Sequence, residues 1–143
     1  MLDVFEDEKY FYLVLELLQG GDLYDYLQSF GFDIPELQAR KFASSLGNAL
    51  KYIHSYGIVH RDIKLENVMM TEKGIKAEPK FVDFGLALLA GPGQKANDLL
   101  GTIAYAAPEL LLEKDYDRGV DVWSFGTIVY CLVSGTLPFE HAE

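Results

Sequence analysis

The chain has 143 residues, with 12 Lys and Arg against 22 Asp and Glu, a formal net charge of −10 and 50% hydrophobic residues. This length allows one domain or a piece of a larger one, and the composition is that of a folded globular chain. The acidic charge argues against nucleic-acid partners and against docking on an anionic membrane, because like charges repel.

The first elements predicted along the chain are a strand and a short helix. Tyr10–Leu18 is aromatic and aliphatic, which is typical of a buried strand, and the glycines Gly20 and Gly21 end it. Asp22 is placed to cap a short helix that runs through Gln28.

A longer helix is predicted to begin at Asp33-Ile34-Pro35-Glu36. This segment combines an N-cap acid, a proline in the first turn and a glutamate at the third helical position. Gly57 is the expected end of the helix. Its apolar stripe comprises Phe42, Leu46, Ala49, Leu50 and Ile53.

The middle of the chain changes its hydrophobic period. Short apolar pieces at Ile58-Val59, Val68–Met70 and Lys80–Val82 alternate with polar turns and predict small strands. Leu86–Gly101 is poor in strand formers, contains Gly91-Pro92-Gly93 and is predicted to be a surface loop. The expected architecture is therefore a mainly helical α+β domain with a small β element.

The last predicted element is a helix from Asp121 through Val133 that is apolar nearly all round, as a central buried helix would be. Gly135 ends it and Pro138 prevents a restart. Cys131 lies within its apolar run, so we expect a buried free thiol.

No targeting segment or membrane span is predicted. The N-terminus lacks both a basic start and a long apolar stretch, so it is not expected to be a signal peptide. The longest apolar run, Phe125–Val133, falls short of the roughly 18 apolar residues that span a bilayer. A reducing, cytoplasmic location is expected, and access to the nucleus stays open.

Three motifs stand in a fixed order: His60-Arg61-Asp62-Ile63-Lys64-Leu65-Glu66-Asn67, then Asp83-Phe84-Gly85, then Ala107-Pro108-Glu109. Together they resemble the catalytic loop, the magnesium-binding triplet and the end of the activation segment of the protein kinase family. Tyr10–Leu23 is similar to the hinge region of that family, and Asp121–Gly126 to the start of its central helix, so the resemblance covers essentially the whole chain.

The resemblance implies a partial protein-kinase-like fold. Residues 1–18 would be the end of the small lobe and the hinge, and residues 19–143 would be the large lobe through its central helix. The glycine-rich loop, the strand lysine, its partner glutamate and the last helices have no counterpart here. We therefore expect this chain alone to be inactive or nearly so, with an apolar surface left exposed.

The implied chemistry is transfer of a phosphoryl group from ATP with Mg²⁺. Asp62 would orient the acceptor hydroxyl and take its proton, and Lys64 would place a charge beside the phosphate. Asn67 and Asp83 would supply the oxygen ligands that magnesium prefers. Taken singly, an Asp in a loop, an Asp-Phe-Gly tripeptide or a lone Lys is more often a turn or a solvated residue.

The resemblance also assigns a nucleotide site and an acceptor class. Leu15 would be the gatekeeper, Glu16 and Leu18 would meet adenine through their backbones, Asp22 would reach the ribose, and Met69 would pack under the ring. Ordinary strand packing is the alternative for Leu15 and Leu18, and a plain core methionine is the alternative for Met69. Lys64 and Thr102 match the serine/threonine pattern, and Leu132–Phe139 is most similar to the calmodulin-dependent group.

Substrate choice and regulation are the last expectations. Glu66 and Asp22 match positions that pair with an upstream arginine of the substrate, so basic peptides are the expected partners. No residue between Gly85 and Gly101 carries a hydroxyl. We expect Asp98 to give Arg61 the anion that a loop phosphate supplies elsewhere, a solvated aspartate being the alternative.

Two other readings stay open. A non-catalytic, kinase-derived binding or scaffold module would explain the missing nucleotide clamp, whereas the intact Asp62, Lys64, Asn67 and Asp83 argue against it. An incomplete gene model is the third reading.

Overall fold

A hairpin of two antiparallel strands opens the chain. The structure, a computed structural model, describes residues 1–91, 95–98 and 100–139. Strand β1 (Asp3–Glu6) pairs with β2 (Phe11–Val14), and every residue of both strands is exposed. The prediction of a buried strand over Tyr10–Leu18 is therefore wrong. The strand ends at Val14, and no second layer of described residues covers it.

Two helices follow the hairpin. Helix α1 (Leu23–Ser29) is capped as predicted, because Asp22 Oδ1 accepts a hydrogen bond of 2.8 Å from the Asp25 amide. Helix α2 (Glu36–Ser55) has Pro35 as its N-cap, whose carbonyl accepts the first backbone hydrogen bonds, so the prediction of Asp33 as N-cap is wrong. A proline disfavours helical geometry at the residue before it, and Ile34 therefore stays outside the helix.

The interior of α2 agrees with the sequence prediction. Phe42, Leu46 and Leu50 are buried, and Ala49 and Ile53 are partly buried beside them. The helix ends before Gly57, which has φ +72°. This left-handed conformation at the end of a helix favours glycine.

Four short strands form two further antiparallel pairs. Strand β3 (Ile58–Val59) pairs with β6 (Leu88–Leu89), and β4 (Val68–Met70) pairs with β5 (Pro79–Phe81). The strand predicted at Lys80–Val82 thus begins one residue earlier. The segment Leu86–Gly101, predicted to be a loop, contains strand β6. Backbone pairing with β3 forms this strand and needs no particular side chains. Residues 92–94 and 99 of the segment lie outside the described part.

The remaining helices are α3 (Pro108–Leu111) and α4 (Gly119–Ser134). Gly135, with φ +77°, ends α4 as predicted. The expectation that α4 is buried all round is wrong: Val122 and Val133 are 54% and 74% exposed, since the helix packs on one side only, against α2 and the 3-10 turn Ile103–Tyr105.

The main core lies between α1, α2, α4 and β4, and a smaller cluster lies beneath α3. Cys131 is buried in the main core, as predicted. None of the described helices is both long and apolar enough to span a bilayer. The small cluster comprises Val59, Ala107, Leu110, Tyr116 and Val120. The predicted mixture of helices with small strands is confirmed. Val59 at the end of β3 belongs to the small cluster, and Ile63 and Leu65, which follow it, belong to the main core.

Candidate active site

The loop between β3 and β4 carries the first motif in a strained backbone conformation. Arg61 has φ +68°, and Asp83, just beyond β5, has φ +58°. Residues other than glycine rarely adopt this left-handed region, and the conformation persists only where surrounding contacts hold it.

Asp121 on α4 provides those contacts. Its Oδ2 accepts a hydrogen bond from the His60 amide and its Oδ1 accepts one from the Arg61 amide, both at 2.8 Å. His54 Nε2 lies 2.8 Å from Asp121 Oδ2. The carboxylate is 1% exposed and joins α2, α4 and the loop at one point. Charge-assisted bonds to backbone amides are among the stronger hydrogen bonds in proteins, so this contact fixes the loop.

Asp62 stands at the centre of a closed network in this loop. Its Oδ1 accepts a hydrogen bond of 3.0 Å from Thr102 Oγ1, and its Oδ2 lies 2.9 Å from Lys64 Nζ. Lys64 Nζ also donates to Thr102 Oγ1 at 3.0 Å, and Asn67 Nδ2 donates to Asp62 Oδ2 at 2.8 Å. The network thus brings together four side chains that the sequence singled out.

This environment shifts the pKa of Asp62 downward. Burial alone would raise the pKa, but hydrogen bonds from Lys64, Thr102 and Asn67, with the Lys64 charge, outweigh it. The carboxylate is therefore ionised near neutral pH. A weakened base suits a group that orients a hydroxyl better than one that abstracts its proton early.

Asn67 directly precedes β4, and Asp83 follows two residues after β5, the strand that pairs with β4. The Val82 amide donates to the Asn67 carbonyl at 3.0 Å, which places Asp83 one residue from this pairing. The Asn67 carboxamide nitrogen faces two acceptors, Asp62 O and Asp62 Oδ2, so its side-chain oxygen is free to face elsewhere. One amide oxygen and one exposed carboxylate fit a magnesium ion that takes its other ligands from water and phosphate.

Those two residues do not form a dense metal site by themselves. Within residues 1–91, 95–98 and 100–139, no three His, Cys, Asp or Glu side chains group closely enough to hold a metal ion. Binding of magnesium by Asn67 and Asp83 therefore stays a prediction.

The segment predicted to meet adenine lies beside β4. The Gln19 and Gly20 amides donate to the carbonyls of Thr71 and Met70. Leu15 is 60% exposed, and Leu18 is partly buried. In the described part of the chain, neither the Glu16 carbonyl nor the Leu18 amide has a backbone partner. These groups are open to a ligand, and their assignment to adenine stays a prediction.

The residues predicted to line the nucleotide site also have partners within the protein. The Glu16 carboxylate pairs with Lys80 on β5. The Asp22 carboxylate caps α1, and its backbone forms an isolated bridge with Met69. Met69 is partly buried between the buried Val68 and Met70. The contacts with ribose and adenine therefore stay predictions for Asp22 and Met69.

The acids predicted to recognise substrate lie on neighbouring elements. Glu66 is exposed on the 3-10 turn Leu65–Asn67, which packs against α1, and Asp22 caps α1. Burial first, and the Glu66 charge second, raise the pKa of Tyr105 far above its usual value. The two acids therefore lie on elements that contact each other, and their pairing with a substrate arginine stays a prediction.

The sequence did not single out two residues of the site for a site role. Asp121 is the only charged residue in α4, and this could have suggested a buried partner. Tyr116, whose hydroxyl contacts both Arg61 and Asp98, offers no comparable signal because a buried tyrosine is common in any core.

Comparison with known proteins gives one consistent result. A family model described as "Protein kinase domain" matches residues 1–143. The chain is 41% identical to Sperm motility kinase 2B of Mus musculus, over all of this chain and 29% of the relative. It is 41% identical to Protein kinase kin1 of Schizosaccharomyces pombe, over 96% of this chain and 15% of the relative.

The name of a third relative states its acceptor class. The chain is 39% identical to the SNF-related serine/threonine-protein kinase of Rattus norvegicus, over all of this chain and 19% of the relative. In each of these comparisons the chain spans less than a third of the curated relative's length.

Proposed function

The chain belongs to the protein kinase family, and on that premise we propose that the protein carrying it transfers the γ-phosphate of ATP to serine and threonine hydroxyls of proteins. The observation that carries the proposal is the closed network of Asp62, Lys64, Asn67 and Thr102. Phosphoryl transfer depends on placing an attacking hydroxyl in line and balancing phosphate charge, and this network offers a carboxylate and an ammonium for those tasks.

Each residue then has a separate task. Asp62 orients the acceptor hydroxyl through its less occupied Oδ1 and takes its proton as the hydroxyl oxygen bonds to the γ-phosphorus. The bond from the γ-phosphorus to the β,γ-bridging oxygen breaks, and ADP leaves with that oxygen. Lys64 directs its remaining N–H toward the transferring phosphate. Asn67 and Asp83 would hold Mg²⁺, which when bound neutralises phosphate charge. Leu15, Glu16, Leu18, Asp22 and Met69 would form the adenine and ribose side.

Labelled-phosphate transfer tests the acceptor class. The intact native protein is incubated with Mg²⁺, γ-labelled ATP and matched peptides that differ only in a serine, threonine or tyrosine acceptor. We expect label on the serine and threonine peptides and little on the tyrosine peptide. Label on tyrosine alone, or transfer that survives removal of Mg²⁺ by a chelator, would contradict the proposal.

Basic peptides are the proposed substrate class within this function. The support is the pair of acids Asp22 and Glu66 on neighbouring elements, together with the net charge of −10. Glu66→Gln should raise the KM of a peptide with an upstream arginine by about two- to fivefold, the size expected for one exposed ion pair. Glu72→Gln, at an exposed acid between β4 and β5, is the matched control. Equal phosphorylation of peptides without the arginine would refute this preference.

Subgroup and location are further parts of the proposal. The segment Leu132–Phe139 supports membership of the calmodulin-dependent kinase group, and the single buried Cys131 supports a reducing, cytoplasmic compartment. The domain division at residue 18 belongs here too, with the hairpin and hinge on one side and the helical lobe on the other.

A non-catalytic binding module is the second candidate. The observation in its favour is the exposed apolar surface of β1 and β2, where Phe5 and Phe11 are 56% and 71% exposed. The intact mass of the native gene product, captured by an antibody against this chain, separates the candidates. A mass well above 16.1 kDa favours the enzyme, and a mass at that value favours the binding module.

A further inference from the structure

The guanidinium of Arg61 is a nearly buried cation with few partners. The side chain is 10% exposed; its Nε donates to the Leu86 carbonyl at 2.6 Å, and its Nη1 lies 3.3 Å from Asp98 Oδ2. Among the described residues, Asp98 is the only acid within ion-pair distance of Arg61. Leaving a buried charge without its counter-charge is costly, so this one contact matters although Asp98 itself is largely exposed.

Tyr116 joins both members of this pair. Its hydroxyl accepts a hydrogen bond of 3.2 Å from Arg61 Nη1 and donates one of 3.1 Å to the Asp98 carbonyl. Its backbone exchanges hydrogen bonds of 3.0 and 2.9 Å with Ala96. The ring is 4% exposed and belongs to the small cluster that includes Val59, next to His60. Tyr116 therefore fixes residues 96–98 to a rigid part of the fold.

The segment that Tyr116 holds carries no site for a phosphate ester. Residues 86–100 contain no serine, threonine or tyrosine. Segments of this kind can be ordered by phosphorylation, which gives an arginine an anionic partner. Here an anion is part of the sequence and is already paired with Arg61.

We propose that Asp98 and Tyr116 are positioning residues that hold Arg61, and through its backbone the loop bearing Asp62, in working geometry without phosphorylation of this segment. The proposal rests on the proposed function for its effect on catalysis. In this proposal Tyr116 fixes the backbone of residues 96–98, so that the Asp98 carboxylate faces Arg61. A carboxylate has about half the charge of a phosphate. The hydrogen bonds of Tyr116 compensate for this weaker attraction by limiting the motion of residues 96–98.

Two variants in the intact native protein test the proposal, each with a matched control. Asp98→Asn removes the charge and keeps the shape, and Asp115→Asn is its control at an exposed acid that has no partner among the described residues. Tyr116→Phe removes only the hydroxyl, and Tyr130→Phe, on the half-exposed face of α4, is its control. Asp98→Glu tests whether the charge alone restores function.

Two measurements are made on each variant. The first is kcat with the KM for ATP, using a serine peptide. The second is hydrogen exchange of the Ala96 amide, which donates to the Tyr116 carbonyl. Asp98→Asn should lower kcat about tenfold or more, because it leaves a buried guanidinium without its charge partner. The KM for ATP should stay within about twofold, since Arg61 makes no nucleotide contact in the proposed site.

Tyr116→Phe should lower kcat by a smaller factor of about three to ten, consistent with loss of a neutral hydrogen bond. Exchange at Ala96 should rise in both variants and not in the controls. The factor by which the double variant lowers kcat should be smaller than the product of the two single factors, because both residues act through Arg61. Asp98→Glu should recover most of the activity.

The outcomes separate this inference from the proposed function. Phosphoryl transfer that is unchanged in Asp98→Asn and Tyr116→Phe would overturn the inference and leave the function standing. If the wild-type protein transfers no phosphate, the proposed function fails. Hydrogen exchange at the Ala96 amide still decides whether Asp98 and Tyr116 hold this segment. Loss of activity in Asp98→Asn with no change in exchange and an increased KM for ATP would also overturn the inference.

Discussion

Replacing Asp121 with asparagine tests how the loop between β3 and β4 is held. The carboxylate accepts hydrogen bonds from the His60 and Arg61 amides and contacts His54, all at 2.8 Å, while it is 1% exposed. Asparagine keeps one acceptor oxygen and turns an NH₂ group toward the donors that the other oxygen served. The best orientation keeps the bonds to His54 and His60 and leaves the Arg61 amide unpaired.

The free-energy cost of Asp121→Asn follows from the hydrogen bonds that are lost or weakened. One buried amide without a partner costs about 1–3 kcal/mol, and loss of the negative charge weakens the other two bonds by about 0.5–1 kcal/mol each. The sum is about 3 kcal/mol, which corresponds to a roughly hundredfold change in an equilibrium constant. The left-handed conformation of Arg61 stores strain that favours the opened loop.

Hydrogen exchange in the native protein measures this opening locally. Exchange of the His60 and Arg61 amides should become about a hundredfold faster in Asp121→Asn, because local opening sets their protection. Asp115→Asn is the matched control and should change exchange by less than about twofold. Exchange rates within threefold of wild type in Asp121→Asn would refute the view that this carboxylate holds the loop.

Three further outcomes are expected. The folded-state pKa of Asp62 lies below its ordinary value of 3.8, so the network's contribution to stability is complete above that value and is lost as the pH falls through the lower folded pKa. In an NMR titration of this carboxyl group, Lys64→Met should move the pKa of Asp62 upward. An unchanged titration midpoint would contradict the assignment of the shift to Lys64. Gly101→Ala should destabilise the protein by about 2 kcal/mol or more in urea unfolding, because φ is +99° and the added Cβ would lie 2.7 Å from the Arg61 carbonyl; a loss below about 0.5 kcal/mol would argue against this close approach. Asp22→Ala should cost about 1 kcal/mol through the lost cap of α1, and Asp25→Ala, beside it, serves as the comparison.

The resemblance to the kinase family predicted the members of the network around Asp62, and three of the four are local in sequence. Asp62, Lys64 and Asn67 lie within one short loop, and the structure brings their side chains into contact as the resemblance implies. Thr102 and Asp98 came from the resemblance, since no period or cap connects them to the loop. Their hydrogen bonds with Lys64 and Arg61 span 38 and 37 residues of sequence.

Other features depend on packing that the sequence does not encode locally. Asp121 reaches His60 across 61 residues, and Tyr116 reaches Arg61 across 55. Strand β6 consists of two leucines that pair through their backbone, and side-chain pattern carries no information about that. The start of α2 was a different case, because the effect of Pro35 on Ile34 was available from local sterics.

Burial was the property that sequence patterns overstated. The aromatic run after Lys9 and the apolar surface of α4 both predict complete burial, yet β2 is exposed along its length and Val133 is 74% exposed. Hydrophobic composition indicates surface suited to burial, and the partner that covers it has to come from the tertiary arrangement.

Phosphoryl transfer by Asp62→Asn tests the central claim most directly. The intact native protein and this variant are compared with Mg²⁺, γ-labelled ATP and a serine peptide, with Asp25→Asn as a control at an exposed carboxylate near the site. The account predicts that the wild type and Asp25→Asn transfer label, and that Asp62→Asn is slower by about 10²-fold or more with little change in the KM for ATP. Transfer at the wild-type rate by Asp62→Asn would contradict it.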